Sequence, residues 1–417
     1  LDMSNRQTKI DDDAVAIYFA SRIPSWTRLL QDLIRIPSST PEGDVAIGEF
    51  VANHIASLGC DVRRVAHDAK VLRQLSAAQG PIIDYPGRCS LVVRVPGTGG
   101  GTSLVINSHL DTVPVGDERR WTVPPLDGWI DEARSMIYGR GAMDDKAGVV
   151  ISLALLETLV KLPVQLAGDV VFHYVLEDET TGNGTLLCLH AGYGADAALI
   201  IDGTRLDKAI DRHAGNVQFE LLLEGKSASV SVSHLGVNAA EMMARLLLEL
   251  RELIFALNAD RREPWTRFPS PFQLVIQNLH SEGSQLTVPE AASAQCYVTF
   301  PPPLTLAEVR EIVEIHLRKF ALVHVLPSPI EIRWSGFATE PVGSGDESLA
   351  RRLQATAERQ GFAPVDIGPS TGTSDLRHFI AAEIPCLLYG PGRGFQPHRS
   401  DEHYCLDDLP KMLRFYL

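Results

Sequence analysis

The sequence predicts an α/β protein with two domains: a larger one with a mostly parallel sheet and helices on both faces, and a smaller inserted α+β domain of ferredoxin-like topology. Short apolar strands alternate with helices before residue 210 and after residue 338, which indicates a parallel sheet. Residues 210–338 follow the order β-α-β-β-α-β instead. A chain of 417 residues is also too long for one ordinary core.

The elements of the larger domain follow from helical spacing of apolar residues or from short apolar runs between turn residues. Helices are predicted at 11–36, 44–58, 145–162 and 347–360. Strands are predicted at 103–107, 169–176, 197–201 and 385–389. Gly59 closes the second helix, and the glycine-rich turn 97–101 leads into the first strand.

The inserted domain begins with a strand whose apolar residues alternate along 217–223, which suits a sheet with one covered face. Its other strands are predicted at 272–279, 292–300 and 330–334, and its helices at 239–257 and 306–320. The α/β pattern resumes afterwards. We therefore expect a discontinuous larger domain, 1–209 with 339–417, and an inserted domain at 210–338.

Composition narrows the class of protein and of partner. A hydrophobic content of 45% with 22% charged residues is typical of a globular protein, and no apolar run approaches a membrane span. The net charge of −14 argues against nucleic acid or an anionic membrane as a partner. Residues 1–13 are polar and acidic, unlike a secretory signal. The six cysteines are scattered without a CxxC pair, which indicates reduced thiols in a cytoplasmic protein.

Histidine and carboxylate residues follow several predicted strands or precede a predicted helix. Ligands of open α/β sheets gather outside the carboxyl ends of the strands, so we expect these side chains to meet at one rim. In chain order they are His109, Asp111, Asp144, Asp178, Glu179, Asp202 and His398. Each residue taken alone could be a cap or turn residue. This alternative is weakened because it would have to hold independently at every one of these positions.

Five of these residues have the composition of a two-metal hydrolytic site, with two imidazoles, three carboxylates and no thiolate. They are His109, Asp144, Glu179, Asp202 and His398. Two adjacent metal ions can generate hydroxide at neutral pH and polarise a carbonyl. Asp144 is expected to bridge both ions, and Asp111 to accept the second ring N–H of His109.

With these residues placed, the chain resembles the co-catalytic zinc aminoacylase and exopeptidase family, which includes acetylornithine deacetylase, succinyl-diaminopimelate desuccinylase and glutamate carboxypeptidases. The similarity rests on motifs spread over almost the whole chain. They are S-H-L-D-T-V-P at 108–114, residues 121–128, Y-G-R-G-A-M-D-D-K at 138–146, E-D-E-T-T-G-N-G at 177–184, D-G-T at 202–204, G-T-S-D at 372–375, G-P-G at 390–392, and His398 with Asp401-Glu402.

The resemblance implies two zinc ions bridged by Asp144, with His109 and Asp202 on one ion and Glu179 and His398 on the other. Cobalt or manganese could replace zinc. The resemblance also implies Asp178 as general base and Asp111 as the residue that orients His109. Glu177 is the alternative base, but neighbouring strand residues face opposite ways, which favours Asp178. The substrate would be an N-acylated amino acid or a small peptide-like molecule, and the inserted domain would act as a lid and as a homodimer contact.

Three positions depart from the family pattern. Asp178 stands where the base is usually Glu, Ser229 where the lid usually has His, and Thr299 where a lid strand usually has Arg. His234 and Arg377 are candidate substitutes.

Gly372, Thr373, Thr299, His234 and Arg377 are the predicted substrate contacts. Two functions follow. The chain is a metal-dependent amidohydrolase with a shifted substrate, or a metal-binding homologue with weak or no activity that serves as a binding or assembly module.

Overall fold

The structure is a computed structural model that describes residues 12–334, 336–395 and 397–417. Residues 1–11, which include most of the polar start and Asp11 of the first predicted helix, lie outside the described residues. Among the described helices, none combines the length and the apolar character needed to cross a membrane.

Helices form where apolar residues recur at helical spacing and where caps satisfy the free N–H groups. The second helix begins earlier than predicted because Thr40 accepts a hydrogen bond from the Gly43 N–H and Pro41 suits the first turn. In the described residues the helices, α1 to α10, are Asp12–Ile34, Pro41–Ser57, Ala69–Leu72, Lys146–Lys161, Asn183–His190, Ala239–Ala256, Leu306–Val323, Ser348–Arg359, Leu376–Ala381 and Leu409–Tyr416.

The strands are mostly short apolar segments between turns, as the sequence predicts. In the same part of the chain the strands, β1 to β18, are Arg63–Ala66, Cys89–Val95, Leu104–His109, Trp129–Asp131, Met136–Tyr138, Val170–Val175, Ala197–Ile200, Lys208–His213, Gly215–Glu224, Gln273–Glu282, Ala291–Phe300, Glu331–Arg333, Ala338–Thr339, Val342–Gly343, Asp366–Ser370, Cys386–Tyr389, Gly394–Phe395 and His403–Cys405.

The larger domain is built on a nine-stranded sheet with the order β1-β2-β6-β3-β7-β16-β8-β14, and β15 also pairs with β8. Its centre, β6-β3-β7-β16, is parallel. Antiparallel pairs lie on both sides of this centre, β1-β2-β6 on one and β16-β8-β14 on the other. The predicted α/β class is confirmed, and the parallel part of the sheet is the part that carries the site.

Helices cover both faces of this sheet. Phe172 of β6 packs into the core formed with α1, α2, α4, α8 and α10, whereas its neighbour Val171 packs into the core formed with α3, α5 and α9. Successive strand residues point to opposite faces, so a sheet buried on both sides needs apolar residues at every position. This explains the unbroken apolar runs of the central strands.

The inserted domain has the predicted ferredoxin-like topology. Its sheet has the order β10-β11-β9-β12 with every pair antiparallel, and α6 and α7 pack on one face. The alternating residues Val217, Phe219, Leu221 and Leu223 are all buried against those helices. The opposite face of the sheet is turned towards the larger domain, where Gln218 and Tyr297 line a cavity.

The junctions between the two domains differ slightly from those predicted. Strand β8, Lys208–His213, pairs within the large sheet, so the boundary lies between His213 and Gly215 rather than after residue 209. β13 pairs with β9 of the inserted sheet, and β14 returns to β8. The change from one sheet to the other occurs within a nearly continuous extended segment, so strand periodicity alone cannot locate it.

Candidate metal centre

The predicted ligands lie at the carboxyl edge of the parallel strands. His109 is the last residue of β3, Glu179 follows β6 and Asp202 follows β7. His398 lies after β16, in the connection between β17 and β18, and Asp144 lies directly before Asp145, the cap residue of α4. Because β6, β3, β7 and β16 are neighbours and point the same way, their ends bring these side chains to one place.

Asp144 lies between the two histidines. Its Oδ1 is 2.9 Å from Nε2 of His109, and its Oδ2 is 3.1 Å from Nε2 of His398. Nε2 of His398 is also 2.9 Å from Oε2 of Glu179, and Nε2 of His109 is 3.9 Å from Oδ1 of Asp202. The structure therefore brings all five predicted ligands together, in two sets that share Asp144.

The chemistry of this cluster fits divalent metal ions. Ligand atoms of His109, Asp178 and Asp202 lie within 4.8 Å of one another, as do those of His109, Asp144 and Glu179. Oδ1 of Asp202 is buried and has no hydrogen-bond partner among the described residues. Burial and the charge of Asp144 raise the pKa of Asp202 well above its usual range. Imidazole and carboxylate donors are those that zinc, manganese and cobalt accept, and a cation would relieve the repulsion.

His109 is held in the orientation that a ligand needs by the backbone carbonyl of Asp111 rather than by its carboxylate. Its Nδ1 lies 2.9 Å from the backbone carbonyl oxygen of Asp111, which can only accept, so Nδ1 carries the proton and Nε2 points to the cluster. The Oδ1 of Asp111 is farther, at 3.6 Å. Oδ2 of Asp111 instead accepts the backbone N–H of Glu179 at 3.2 Å. Asp111 therefore positions two of the predicted ligands at once.

Asp178, the predicted base, reaches the cluster despite its short side chain. Its carboxylate lies within the group formed with His109 and Asp202, and its Oδ1 accepts the backbone N–H of Asp375 at 3.2 Å. Burial raises the pKa of Asp178, and the nearby carboxylates add to this effect. A carboxylate that holds a proton more readily than usual suits a group that must accept one.

A cavity of about 480 Å³ extends from the cluster to the inserted domain. Asp144, Asp178, Glu179, Asp202 and His398 line one end, and residues of β9, β10 and β11 line the other. This volume is in the range of small-molecule sites, and the cavity lies between two domains, where such sites are common.

Comparison of the chain with models of protein families identifies the family to which this ligand arrangement belongs. Residues 105–417, which include every predicted ligand, match the model of "Peptidase family M20/M25/M40". The chain belongs to that peptidase family. The resemblance noted in the sequence is thus confirmed, and the chain is a metal-dependent hydrolase of amide bonds.

Relatives and solved structures agree with membership of the family. The chain is 24% identical over 408 residues to an N-formyl-4-amino-5-aminomethyl-2-methylpyrimidine deformylase of Halalkalibacterium halodurans, covering 91% of this chain and 90% of the relative. It is 23% identical over 403 residues to a probable succinyl-diaminopimelate desuccinylase of Staphylococcus epidermidis, with 90% and 92% covered.

Among solved structures, a dipeptidase of Saccharomyces cerevisiae superposes with a TM-score of 0.74 at 16% identity, covering 97% of this chain and 96% of its own. A Bacillus subtilis protein described as a dinuclear metal-binding peptidase of the same family gives a TM-score of 0.64 at 15% identity, with 95% and 97% covered. None of these comparisons favours the alternative of an inactive binding module.

Glu177, the other conceivable base in the family motif, is engaged elsewhere. Its Oε1 is 2.7 Å from Nη1 of Arg88, and its other oxygen accepts a hydrogen bond from Thr181. Arg88 also donates to Asp44 at 2.9 Å. This buried network stabilises the loop that carries Asp178 and Glu179. Sequence reasoning missed it because its members come from three distant segments.

Glu402 is a second residue whose role the sequence did not reveal. It is fully buried and accepts hydrogen bonds from the backbone N–H groups of Gly141, Met143 and Asp144 at 3.1, 3.0 and 3.1 Å. Arg140 donates a further bond at 2.6 Å. The motif around 139–144 and the Asp401-Glu402 pair were both visible in the sequence, but nothing local indicated that they touch.

The predicted substrate contacts divide into two groups. Gly372 and Thr373 line the cavity. Thr299, Arg377 and His234 do not belong to its lining. Thr299 is 4% exposed on β11 and interacts with the hydroxyl of Tyr297, while His234 is exposed on a short 3-10 helix, Val230–Leu235, that starts directly after Ser229.

Arg377 is neither a surface charge nor a cavity residue. It is 7% exposed, donates to the carbonyl oxygens of Ser374 at 2.7 Å and Thr181 at 2.9 Å, and its guanidinium carbon lies 4.6 Å from the ring centroid of Phe337. Its donors are thus directed to backbone carbonyls. The structure does not present it to a substrate carboxylate.

Proposed function

We propose that this chain uses two zinc ions to remove the acyl group from a small N-acylated amine or peptide-like molecule, with Asp178 as general base. Support comes from the position of Asp144, whose two oxygens contact two different histidines. His109 and Asp202 would hold one ion, and Glu179 and His398 the other. Cobalt and manganese suit the same donors, so metal availability decides between them.

When bound, the metal ions lower the pKa of water and polarise the scissile carbonyl. Asp178 accepts a proton from the attacking water at its carboxylate and later transfers it to the nitrogen of the leaving amine. Asp375 restricts the rotation of that carboxylate through its backbone N–H, at 3.2 Å from Oδ1. A fixed position matters because an error of about 1 Å reduces the rate on the order of a hundredfold.

The named relatives support removal of an acyl group from nitrogen. One acts on an N-formyl aminomethylpyrimidine and another on a succinyl-diaminopimelate, so the acyl group and the amine both differ between them. The shared step is hydrolysis of an amide next to the metal ions. We propose the same hydrolytic step for this chain, but neither of the two named substrates.

We also propose a homodimer formed through the inserted domain and a cytoplasmic location. Strand β10 is the edge of its sheet, and Val275, Ile276 and Leu279 on it are 46%, 39% and 51% exposed. A long exposed edge with apolar residues is suited to pairing with a second chain. All six cysteines are free, which supports a reducing compartment.

The test of the proposed function is turnover by metal-loaded protein. Zinc, cobalt or manganese is added to chelator-treated protein, and release of formate, acetate or succinate from N-acylated amines is measured. We expect turnover that requires metal and that His109→Ala and Asp144→Ala abolish. Arg119→Ala, on a side chain that is 90% exposed, is the control that keeps the rate. Stoichiometric metal without hydrolysis of any amide would contradict the proposal.

A further inference from the structure

The end of the cavity away from the ligands is formed by uncharged side chains. Gln218, Tyr297 and Val275 lie in one row across β9, β11 and β10, because Tyr297 is paired with both of the others in the strand register. Gln277 lies at the irregularity of β10 and also lines the cavity. Two amides, a phenol and an aliphatic group therefore meet the part of a substrate that extends away from the predicted ligands.

No lysine or arginine lines this cavity in the part of the chain that the structure describes. Arg377 lies behind it, and its bonds go to the carbonyl oxygens of Thr181 and Ser374. The ring of Phe337, which does line the cavity, contacts the guanidinium. An aromatic surface rather than a cation is therefore available to the ligand.

The metal end of the cavity also has no positive charge left over to pair with a substrate carboxylate. Asp144, Asp178, Glu179 and Asp202 are four carboxylates at that end, and their ionised charges balance two divalent ions. A substrate carboxylate that enters this cavity gives up part of its hydration without gaining a paired positive group. Burial of an unpaired charge is far less favourable than burial of a neutral polar group that finds a hydrogen bond.

Tyr297 keeps a neutral hydroxyl in this environment. Burial raises the pKa of its phenol, although hydrogen bonds involving Thr373, Asn216 and Thr299 oppose that effect. Together with the amides of Gln218 and Gln277, it provides donors and acceptors suited to neutral polar groups. The rings of Tyr297 and Phe337 provide apolar surface suited to a flat group.

We propose that the cavity selects N-acylated amines whose amine portion is uncharged and carries polar or flat aromatic groups, and that it discriminates against a free carboxylate there. This inference rests on the proposed function, because it concerns the substrate of the same site. Gln218, Gln277, Tyr297 and Phe337 are the residues that determine this specificity.

The test compares N-acetyl-phenylalaninamide with N-acetyl-phenylalanine, two compounds of similar shape that differ in a single group, a neutral carboxamide or a charged carboxylate. Acetate release by zinc-loaded protein should give a kcat/KM at least about tenfold higher for the neutral compound, a ratio equivalent to about 1.4 kcal/mol. Equal values, or a preference for the carboxylate, overturn the inference while the proposed function stands.

A charge placed in the cavity should reverse the preference. Gln277→Arg is expected to raise the relative kcat/KM of the carboxylate compound about tenfold. Gln273→Arg is the matched control, because Gln273 is exposed on the same strand but does not line the cavity. The ratio of kcat/KM for the two compounds should therefore equal that of the wild type in this variant. A Gln277→Arg ratio unchanged from the wild type counts against the inference.

If no turnover is observed, binding measurements distinguish the inference about specificity from the proposed function. Calorimetry on zinc-loaded Asp178→Asn protein measures the affinity of each intact compound without relying on hydrolysis. Tighter binding of the carboxamide supports the inference. If the wild type at the same time cleaves no amide, the proposed function is wrong but the inference about specificity stands. Tighter binding of the carboxylate overturns the inference.

Discussion

The carboxylate of Glu402 accepts a hydrogen bond from the backbone N–H of Asp144 at 3.1 Å, although the two residues are 258 positions apart in the chain. Glu402 thereby holds Asp144, the proposed bridging ligand, by its main chain and leaves both side-chain oxygens of Asp144 free for the histidines. The geometry of the proposed ligands consequently depends on a residue outside the proposed ligand set.

Glu402→Gln should weaken metal binding. The neutral amide cannot form an ion pair with Arg140, and it replaces one of two acceptor oxygens with a donor near the N–H groups of the loop. Loss of such a supporting residue typically reduces metal affinity about 10- to 100-fold. Competition with a chelator measures the zinc affinity, and Glu347→Gln, on a side chain that is 83% exposed, is the control. Unchanged affinity in Glu402→Gln would show that the loop is held by other contacts.

Asp178→Asn should lower kcat about 10²- to 10⁴-fold, the usual contribution of a positioned base. The zinc content should stay at the wild-type value, because Asp178 is not one of the five proposed ligands. Rate and metal stoichiometry are measured on the same preparation. Glu177→Gln is the comparison, and it should mainly lower Tm through the lost pairing with Arg88. A full rate in Asp178→Asn would mean that another group takes the proton.

Arg377→Lys should destabilise the protein even though the charge is retained. A single ammonium cannot reproduce the planar fork that reaches the carbonyl oxygens of both Ser374 and Thr181. Loss of one charged hydrogen bond corresponds to about 1.5–3 kcal/mol of unfolding free energy. Denaturant unfolding tests this, with the exposed Arg119→Lys expected to change the value by less than about 0.5 kcal/mol. Equal stability of both variants would refute the structural role.

Metal removal should expose the repulsion within the ligand cluster. Burial and the charge of Asp144 raise the pKa of Glu179 to about 7. A carboxyl with a raised folded-state pKa contributes stability at low pH and loses it as the pH rises through that pKa. Chelated Glu179→Gln protein should therefore be more stable than chelated wild type at about pH 8, with the difference shrinking towards about pH 5.

Thermal unfolding of the two chelated proteins across this pH range measures the difference in Tm. With zinc present the order should reverse at about pH 8, because the wild type has the full ligand set and binding stabilises the folded state. A Tm difference between the chelated proteins that does not depend on pH would mean that Glu179 ionises normally.

The sequence predicted most of the central elements because their signals are local. The apolar runs at 103–107 and 197–201 correspond to β3 and β7, and the predicted helix 145–162 corresponds to α4. The Cys89–Val95 strand escaped prediction. Its apolar run is short, and it is an antiparallel neighbour of β6, a pairing that nothing within the strand itself specifies.

By itself, the sequence determined the α/β class, most of the central strands and helices, and the composition of the proposed ligand set, because strand ends and residue chemistry can be read within a few positions. Only the tertiary structure decided what surrounds them. It buried Arg377 behind Phe337, placed His234 outside the cavity and joined Glu402 to Asp144. These outcomes depend on packing between segments far apart in the chain, and side-chain periodicity carries no information about which distant segments meet.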